Sequence, residues 1–419
     1  MATSMKSKSA TTETSPDSPK PEEPPNGGPS IVEIDSQGDI VLNIKHGTAD
    51  RQFRASTAAL KTNSKYFAGL LQGRFGESER IEKSHAELKS KYGSPAKSPA
   101  AELPIIHIED IGRISAVKSI EPLCTDFLVI LHGKEPQTSL PPLANLANLA
   151  IVADRFDALD AVRTYVGRRK IPRAIDGKTT PKADNSLAEE KVRQRVLVAT
   201  LLDYGPWLEK YSARMITKGW VGKEAPESAA LWWDLPARLE EELAFRRDSI
   251  LDTFQSLQAF FLRLYTSRER QCKLGYDSSA QCDSFQLGEM VRFFTRSGTL
   301  QLQGTILDTA EPPLPYEGDI FNLIDLLRQV PEYQIDRNHS HCGIRTRLIP
   351  LLDLITESLY SIGICPECWS QGRVEHAWME GKPPLTWKMQ SHRLRNSGHK
   401  ELHANVRALF TATDRDWAS

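Results

Sequence analysis

The chain has 419 residues, 40% of them hydrophobic and 26% charged, a balance ordinary for folded protein and too apolar for a wholly disordered one. Its 53 Lys and Arg against 54 Asp and Glu leave a formal charge of −1, so no global field draws it to nucleic acid or to an anionic membrane. Charges interrupt every apolar stretch well short of the roughly 20 residues that a membrane span requires.

Residues 1–30, rich in Ser, Thr, Pro, Lys and Glu, cannot bury enough apolar area to offset their conformational entropy and read as a disordered tail. No apolar leader of the secretory kind is visible in them. Six cysteines in so long a chain make no disulfide framework, and an intracellular location, in cytoplasm or nucleus, is the expectation.

Order is expected from Ile31. Three short strands (31–34, 39–44 and 51–55) carry β-branched or alternating residues around turn signals at Gly38 and Gly47. Ala59, Leu60, Phe67, Leu70 and Leu71 then recur at helical spacing with a break near Ser64, which predicts two short helices. Residues 72–103 turn polar and read as a flexible insertion. A strand follows at 104–108, then helices at 125–131 and 143–156, the latter continuing through 157–166. Residues 167–186, which open on basic Arg168-Arg169-Lys170 and contain Pro and Gly, read as a linker. From Leu187 to the end the periodicity is helical. A long helix over about 239–264 has Glu240, Glu241 and Glu242 at its positive N-terminal end, and further helices fit 284–294, 320–328 and about 348–362. The expected fold class is thus an α+β N-terminal domain (31–166), a small sheet capping a helical cluster, followed by a mainly α-helical region (187–419).

Gly38-Asp39-Ile40-Val41-Leu42, followed by the run from Phe53 to Phe67, resembles the opening of a BTB/POZ domain. The family pattern reads Asp-Val-x-Leu, then Phe-x-Ala-His-x-x-x-Leu, then Ser-x-x-Phe, and its positions fall on Asp39, Phe53, Leu60, Ser64 and Phe67. The stretches 127–133 and 143–162 resemble its two closing helical segments. The likeness covers about a third of the chain and is to the filamentous-fungal type, in which a helical C-terminal region follows. Two departures stand out. The family's histidine is Ser56 here. Six prolines in residues 16–29 disfavour the N-terminal exchanged helix of better-known dimers, since each costs about 3 kcal/mol inside a helix; self-association through another face stays open. The resemblance implies adaptor or scaffold work through protein partners, in some members with a cullin-type ubiquitin ligase. That contact is unassigned here, because the insertion interrupts the domain and no substrate-binding repeats follow it.

Catalytic signatures are missing: there is no Gly-rich phosphate loop, nucleophile elbow or HExxH. Cysteine and histidine spacing does point to metal. Cys365-Pro-Glu-Cys368 has the spacing of a zinc knuckle or redox pair, and Cys272, Cys282 and His339-Ser-His341-Cys342 supply further ligands. A helix over 344–361 would hold Cys342 and Cys365 some 25 Å apart at about 1.5 Å per residue. The expected structural zinc site is therefore Cys272, Cys282, His341 (or His339) and Cys342, with Cys365 and Cys368 a separate pair that His376 could join. Trp207, Trp220, Trp232 and Trp233 read as core and capping groups. Residues 388–407 read as a solvated helix face, without the aromatic interleaving of a nucleic-acid surface. The expectation is a non-enzymatic interaction module, with no nucleic-acid or membrane partner. The alternatives are a transcription-associated regulator with structural zinc and a metal-dependent enzyme in the C-terminal half.

Overall fold

The computed structural model describes residues 31–72, 76–115, 117, 119–138, 140–275, 277–299, 316–389 and 398–418; the expected N-terminal tail lies outside them. The chain is α+β, with a small mixed sheet near the start and a mainly helical remainder. Strands β1 (Ile31–Glu33), β2 (Ile40–His46), β3 (Ala49–Ala55) and β4 (Ile105–Ile108) lie in the order β1-β3-β2-β4. The β2–β3 hairpin is antiparallel, with Leu42 opposite Phe53, while β1 runs parallel to β3 and β4 parallel to β2. Gly38 enters β2 so close to β3 that a Cβ there would lie 2.8 Å from the Ala55 carbonyl oxygen, so only glycine fits without displacing the backbone.

Helices α1 (Thr57–Asn63) and α2 (Lys65–Leu70) follow β3, and the break between them is set by hydrogen bonding. Ser64 Oγ accepts from the Phe67 amide and donates to the Phe156 carbonyl, capping α2 while tying it to a helix far along the chain. Asp39 receives the first amide of α1, with Thr57 N at 2.7 Å and Thr57 Oγ1 at 2.6 Å. Where the related pattern has histidine, the Ser56 amide donates to His132 Nε2 at 2.9 Å.

The insertion at 72–103 departs from expectation. Its helix α3 (Gly76–Tyr92) is charged on most faces, but Leu88, with Leu103 beyond the helix, packs on Val41, which points away from the main core. Arg54 reaches across to the carbonyls of Gly38, Ala96 and Ser98. With Ile81 in the main core and His85 bonded to the Asp39 carbonyl, the outward valine and the buried guanidinium dock a segment that composition alone marks as flexible.

Helices α4 (Glu121–Leu131), α5 (Leu143–Arg155) and α6 (Leu159–Arg169) complete this part. Phe67 and Phe127 both stack on Phe156, at 5.3 and 5.5 Å between centroids, and α5 is buried continuously from Leu146 to Ala153. A helix so buried needs cover on more than one side. The cover comes from α9 (Glu189–Leu201), reached through α7 (Ile171–Gly177) and α8 (Pro181–Asn185).

The stretch 167–186 is therefore helical rather than a linker, and its carboxylates hold the next helix, α10 (Gly205–Lys218). Asp176 accepts from Trp207 Nε1, and Asp184 accepts from Tyr211 and Arg214. The Tyr211, Lys210 and Arg214 bonds outweigh burial and keep the Asp184 carboxyl down at about 2. One hydrophobic cluster runs unbroken from the sheet to Trp417.

The centre of the helical part is α11 (Leu239–Thr266). It buries charged groups as well as apolar ones: Glu240, Glu242 and Arg246 are ion-paired, and Arg247 donates to backbone carbonyls, among them those of Ile216 and Gly318. Glu240 takes both Arg193 nitrogens of α9 at 2.9 and 3.1 Å. Glu242 pairs with Arg246 at 2.8 Å and accepts from the Trp378 and Met379 amides, while Arg246 donates to the Ile362 and Gly363 carbonyls. Around α11 lie α12 (Ser279–Arg296), α13 (Ile320–Arg328), α14 (Arg345–Leu359), α15 (Pro366–Gln371), α16 (Arg373–His376) and α17 (His399–Thr411). Strands β5 (Thr386–Lys388) and β6 (Asp414–Asp416) pair in parallel beside α17. Of the expected aromatic groups, Trp207 and Trp232 are fully buried, and Trp220 and Trp233 pack partly buried against the core.

Replacing Glu242 by Ala strands Arg246 and two amides in the interior. Breaking such a buried pair costs about 3–5 kcal/mol, which denaturant unfolding of the full chain reads directly. A loss below about 1 kcal/mol would show that this pair does not anchor α11.

Candidate metal centres

Two groups of cysteine and histidine come together, at opposite ends of α14. The first is built where α11 stops. Cys272 follows the end of α11, Cys282 lies on α12, and the turn 336–342 brings His339 and Cys342 across. Cys272, Cys282 and His339 are buried, and their ligand atoms all lie within 4.8 Å of one another. Cys342 completes the group with its Sγ 3.8 Å from that of Cys272. Two sulfurs on a tetrahedral zinc, each at about 2.3 Å, are separated by about 3.8 Å.

His339, not His341, faces the cysteines. His341 sits at φ 70° on the exposed outer side of the turn, whereas His339 is enclosed and its Nδ1 lies 2.8 Å from Asp336 Oδ1. A proton on Nδ1 directed at Asp336 would make Nε2, which lies 3.3 Å from Ser278 Oγ, the nitrogen that accepts. This is the carboxylate–histidine arrangement that orients imidazole at metal sites. The alternation in His339-Ser-His341 identifies two candidates, and only the turn decides between them.

The surrounding bonds hold the loops rather than the sulfurs. Asp283 accepts from the Gln271 and Cys272 amides at 2.9 and 2.8 Å, Tyr265 donates to the Cys342 carbonyl, and Arg347 reaches Gln271. Burial opposes ionisation of Cys272, but hydrogen bonding to Ser279, Leu274 and Cys342 overcomes it and leaves that thiol below its ordinary range. Burial together with the neighbouring thiolates pushes Cys282 up to about 12. Three thiols sharing one space cannot all ionise by themselves; a divalent cation supplies the charge that lets them.

Cys365 and Cys368 lie apart from this set, as the intervening helix requires. α14 begins at Arg345, with Pro350 inside its early turns, so the chain does not fold back before the helix starts. Cys365 caps α15, and the knuckle presses on α10 so tightly that a Cβ on Gly363 would collide with the Glu209 carbonyl. The histidines beside this pair are His399 and His403 of α17, not His376. His399 Nε2 is 3.2 Å from Cys365 Sγ and 3.5 Å from Cys368 Sγ. Of the residues expected to form a solvated face, 390–397 lie outside the described ones, while α17 buries Val406 and, beyond 407, Leu409 and Phe410. The signal available in the sequence was His399-x-x-x-His403 just after Gly398, because an i, i+4 pair shares one face of a helix.

None of the six cysteines is in a disulfide. Cys124 lies alone in the core of α4, and burial pushes its thiol up to about 12, as for any small inert core group.

For the first centre, cobalt(II) titration of the full chain separates the two histidines. His339→Ala is expected to abolish one binding event and His341→Ala to leave it intact, while Asp336→Ala weakens it about 10–100-fold through the freed imidazole. Equal effects of the two histidine substitutions would contradict the assignment. Comparison with protein-family models, curated proteins and solved structures gives no match to this chain.

Proposed function

We propose that the chain is a protein-interaction adaptor or scaffold, in which residues 31–166 form a BTB/POZ-like docking module and the helical remainder is a platform braced by structural zinc. The observation that carries the reading is what the signature residues do. Phe53, Leu60 and Phe67 are almost wholly enclosed, and Asp39 and Ser64 accept first-turn amides of α1 and α2. All five serve the fold, so the module's working part is its outer surface. The element order supports the same reading: three strands, a helix pair, a strand, a helix and a closing helix pair, with the insertion between.

The chemistry of the first metal centre favours a brace over turnover. With Cys342 joining Cys272, Cys282 and His339, three sulfurs and one imidazole would fill a tetrahedral shell, the pattern of structural zinc; a catalytic zinc keeps a position for water or substrate. Cys272 and Cys282 belong to the segments on either side of the α11–α12 turn, and His339 and Cys342 to the turn before α14. Zinc there would reinforce three segments already joined by the Tyr265, Asp283 and Arg347 hydrogen bonds. No described helix is long and apolar enough to cross a membrane.

Crosslinking of the full chain in its native extract, followed by peptide mapping, tests the docking reading. Intermolecular crosslinks are expected to concentrate on lysines of the first part, such as Lys61, Lys65 and Lys134, with the same partner or a second copy recurring. Crosslinks confined to residues 187–419 would contradict it.

A further inference from the structure

We infer that Cys365, Cys368, His399 and His403 form a second zinc site, independent of the first and of the adaptor reading. Four lines of geometry meet there. The ligand atoms of all four residues lie within 4.8 Å of one another. The separations of His399 Nε2 from the two sulfurs, 3.2 and 3.5 Å, lie at and slightly below the sulfur-to-nitrogen edge of a zinc tetrahedron, about 3.5 Å from Zn–S near 2.3 Å and Zn–N near 2.0–2.1 Å. The rings of His399 and His403 meet edge to face with centroids 4.7 Å apart, one turn apart on α17. His403 is also hydrogen-bonded to the Ser361 backbone, the kind of outer contact that fixes which nitrogen is left for the metal.

The mixed sulfur and nitrogen set selects zinc among common divalent ions. Mg²⁺ and Ca²⁺ take oxygen, and a Cys2His2 tetrahedron has the softness and geometry that zinc prefers. Two thiolates and two neutral imidazoles also balance the ion's charge, which suits a site packed against the positive end of α17. A cavity of about 310 Å³, lined in part by Cys365, Cys368, His403 and Trp378, gives the ion a route in. Glu367 lies 3.7 Å from His399 Nε2 on the exposed side, outside the four-atom set.

The site's work is mechanical. The knuckle is fixed to α11 through Arg246 and the Ile362 and Gly363 carbonyls, and α17 is held lower down where Phe410 stacks at 5.6 Å on Trp378, whose amide is bonded to Glu242 of α11. The N-terminal turn of α17 is held more lightly: His399, Lys400 and Glu401 are exposed and Leu402 is only partly buried against the core. Zinc joins that turn to the knuckle and makes the last helix part of the platform.

The test is metal content of the untagged full chain, by elemental analysis and native mass spectrometry. Two zinc ions per chain are expected. His399→Ala/His403→Ala is expected to retain one, and His339→Ala to retain the other. His403→Cys keeps two, because a thiolate replaces the imidazole, and in the cobalt form it raises the near-ultraviolet thiolate band where His403→Ala lowers it. That rescue separates ligation from a merely structural role even if the double variant folds poorly. Three outcomes would overturn the proposal: one zinc in the wild type that His339→Ala removes entirely, zinc content indifferent to His399 and His403, or a Cys365–Cys368 disulfide in protein prepared without reductant. Loss of the second zinc alone, with the first retained, leaves the reading of the first centre untouched.

Discussion

Buried charge on α11 is the constraint around which the molecule is arranged. A carboxylate or guanidinium removed from water must find its partner inside, or the fold is lost. Glu240 finds Arg193 and Glu242 finds Arg246, and those two pairs point in opposite directions. The first fixes α9, which lies against α5 of the N-terminal part. The second reaches the turn before Cys365 and the backbone at Trp378. One helix thereby sets the distance between the sheet-bearing module and the cysteine knuckle, and the apolar core fills in around it.

The sequence made the N-terminal architecture legible because there local and tertiary signals agree. The β-branched run of β2, the alternation at 51–55, the break at Ser64 and the helical spacing of Leu146, Leu149 and Ala153 each have one good solution. The same reading failed where polar residues have internal work. Composition marks 72–103 and 167–186 as loose, but Arg54, Asp176 and Asp184 bond across to distant backbone and side chains. Such partners lie 30 or more positions away, and no local window contains them. The three glutamates at the start of α11 show the same limit. Their position suits the helix dipole, yet Glu240 and Glu242 are enclosed and paired.

The metal ligands divide in the same way. Helix length separates Cys342 from Cys365, so the split into two cysteine groups could be reasoned from rise per residue. Which histidine joins each group could not. His339 and His341 differ only in the sense of one turn, and His399 and His403 are brought to the knuckle by the packing of Phe410 on Trp378. In both centres the ligands come from segments far apart in the chain, which a closed zinc site would tie together.

The central claim is that both centres have complete protein coordination shells, with no position left for chemistry. X-ray absorption at the zinc edge of the full chain tests it most directly. Averaged over the two sites, the account predicts mean coordination of about 2.5 sulfurs near 2.3 Å and 1.5 nitrogens near 2.0–2.1 Å, with four ligands in all. A first shell dominated by oxygen and nitrogen, or one with a water in place of a protein ligand, would contradict it.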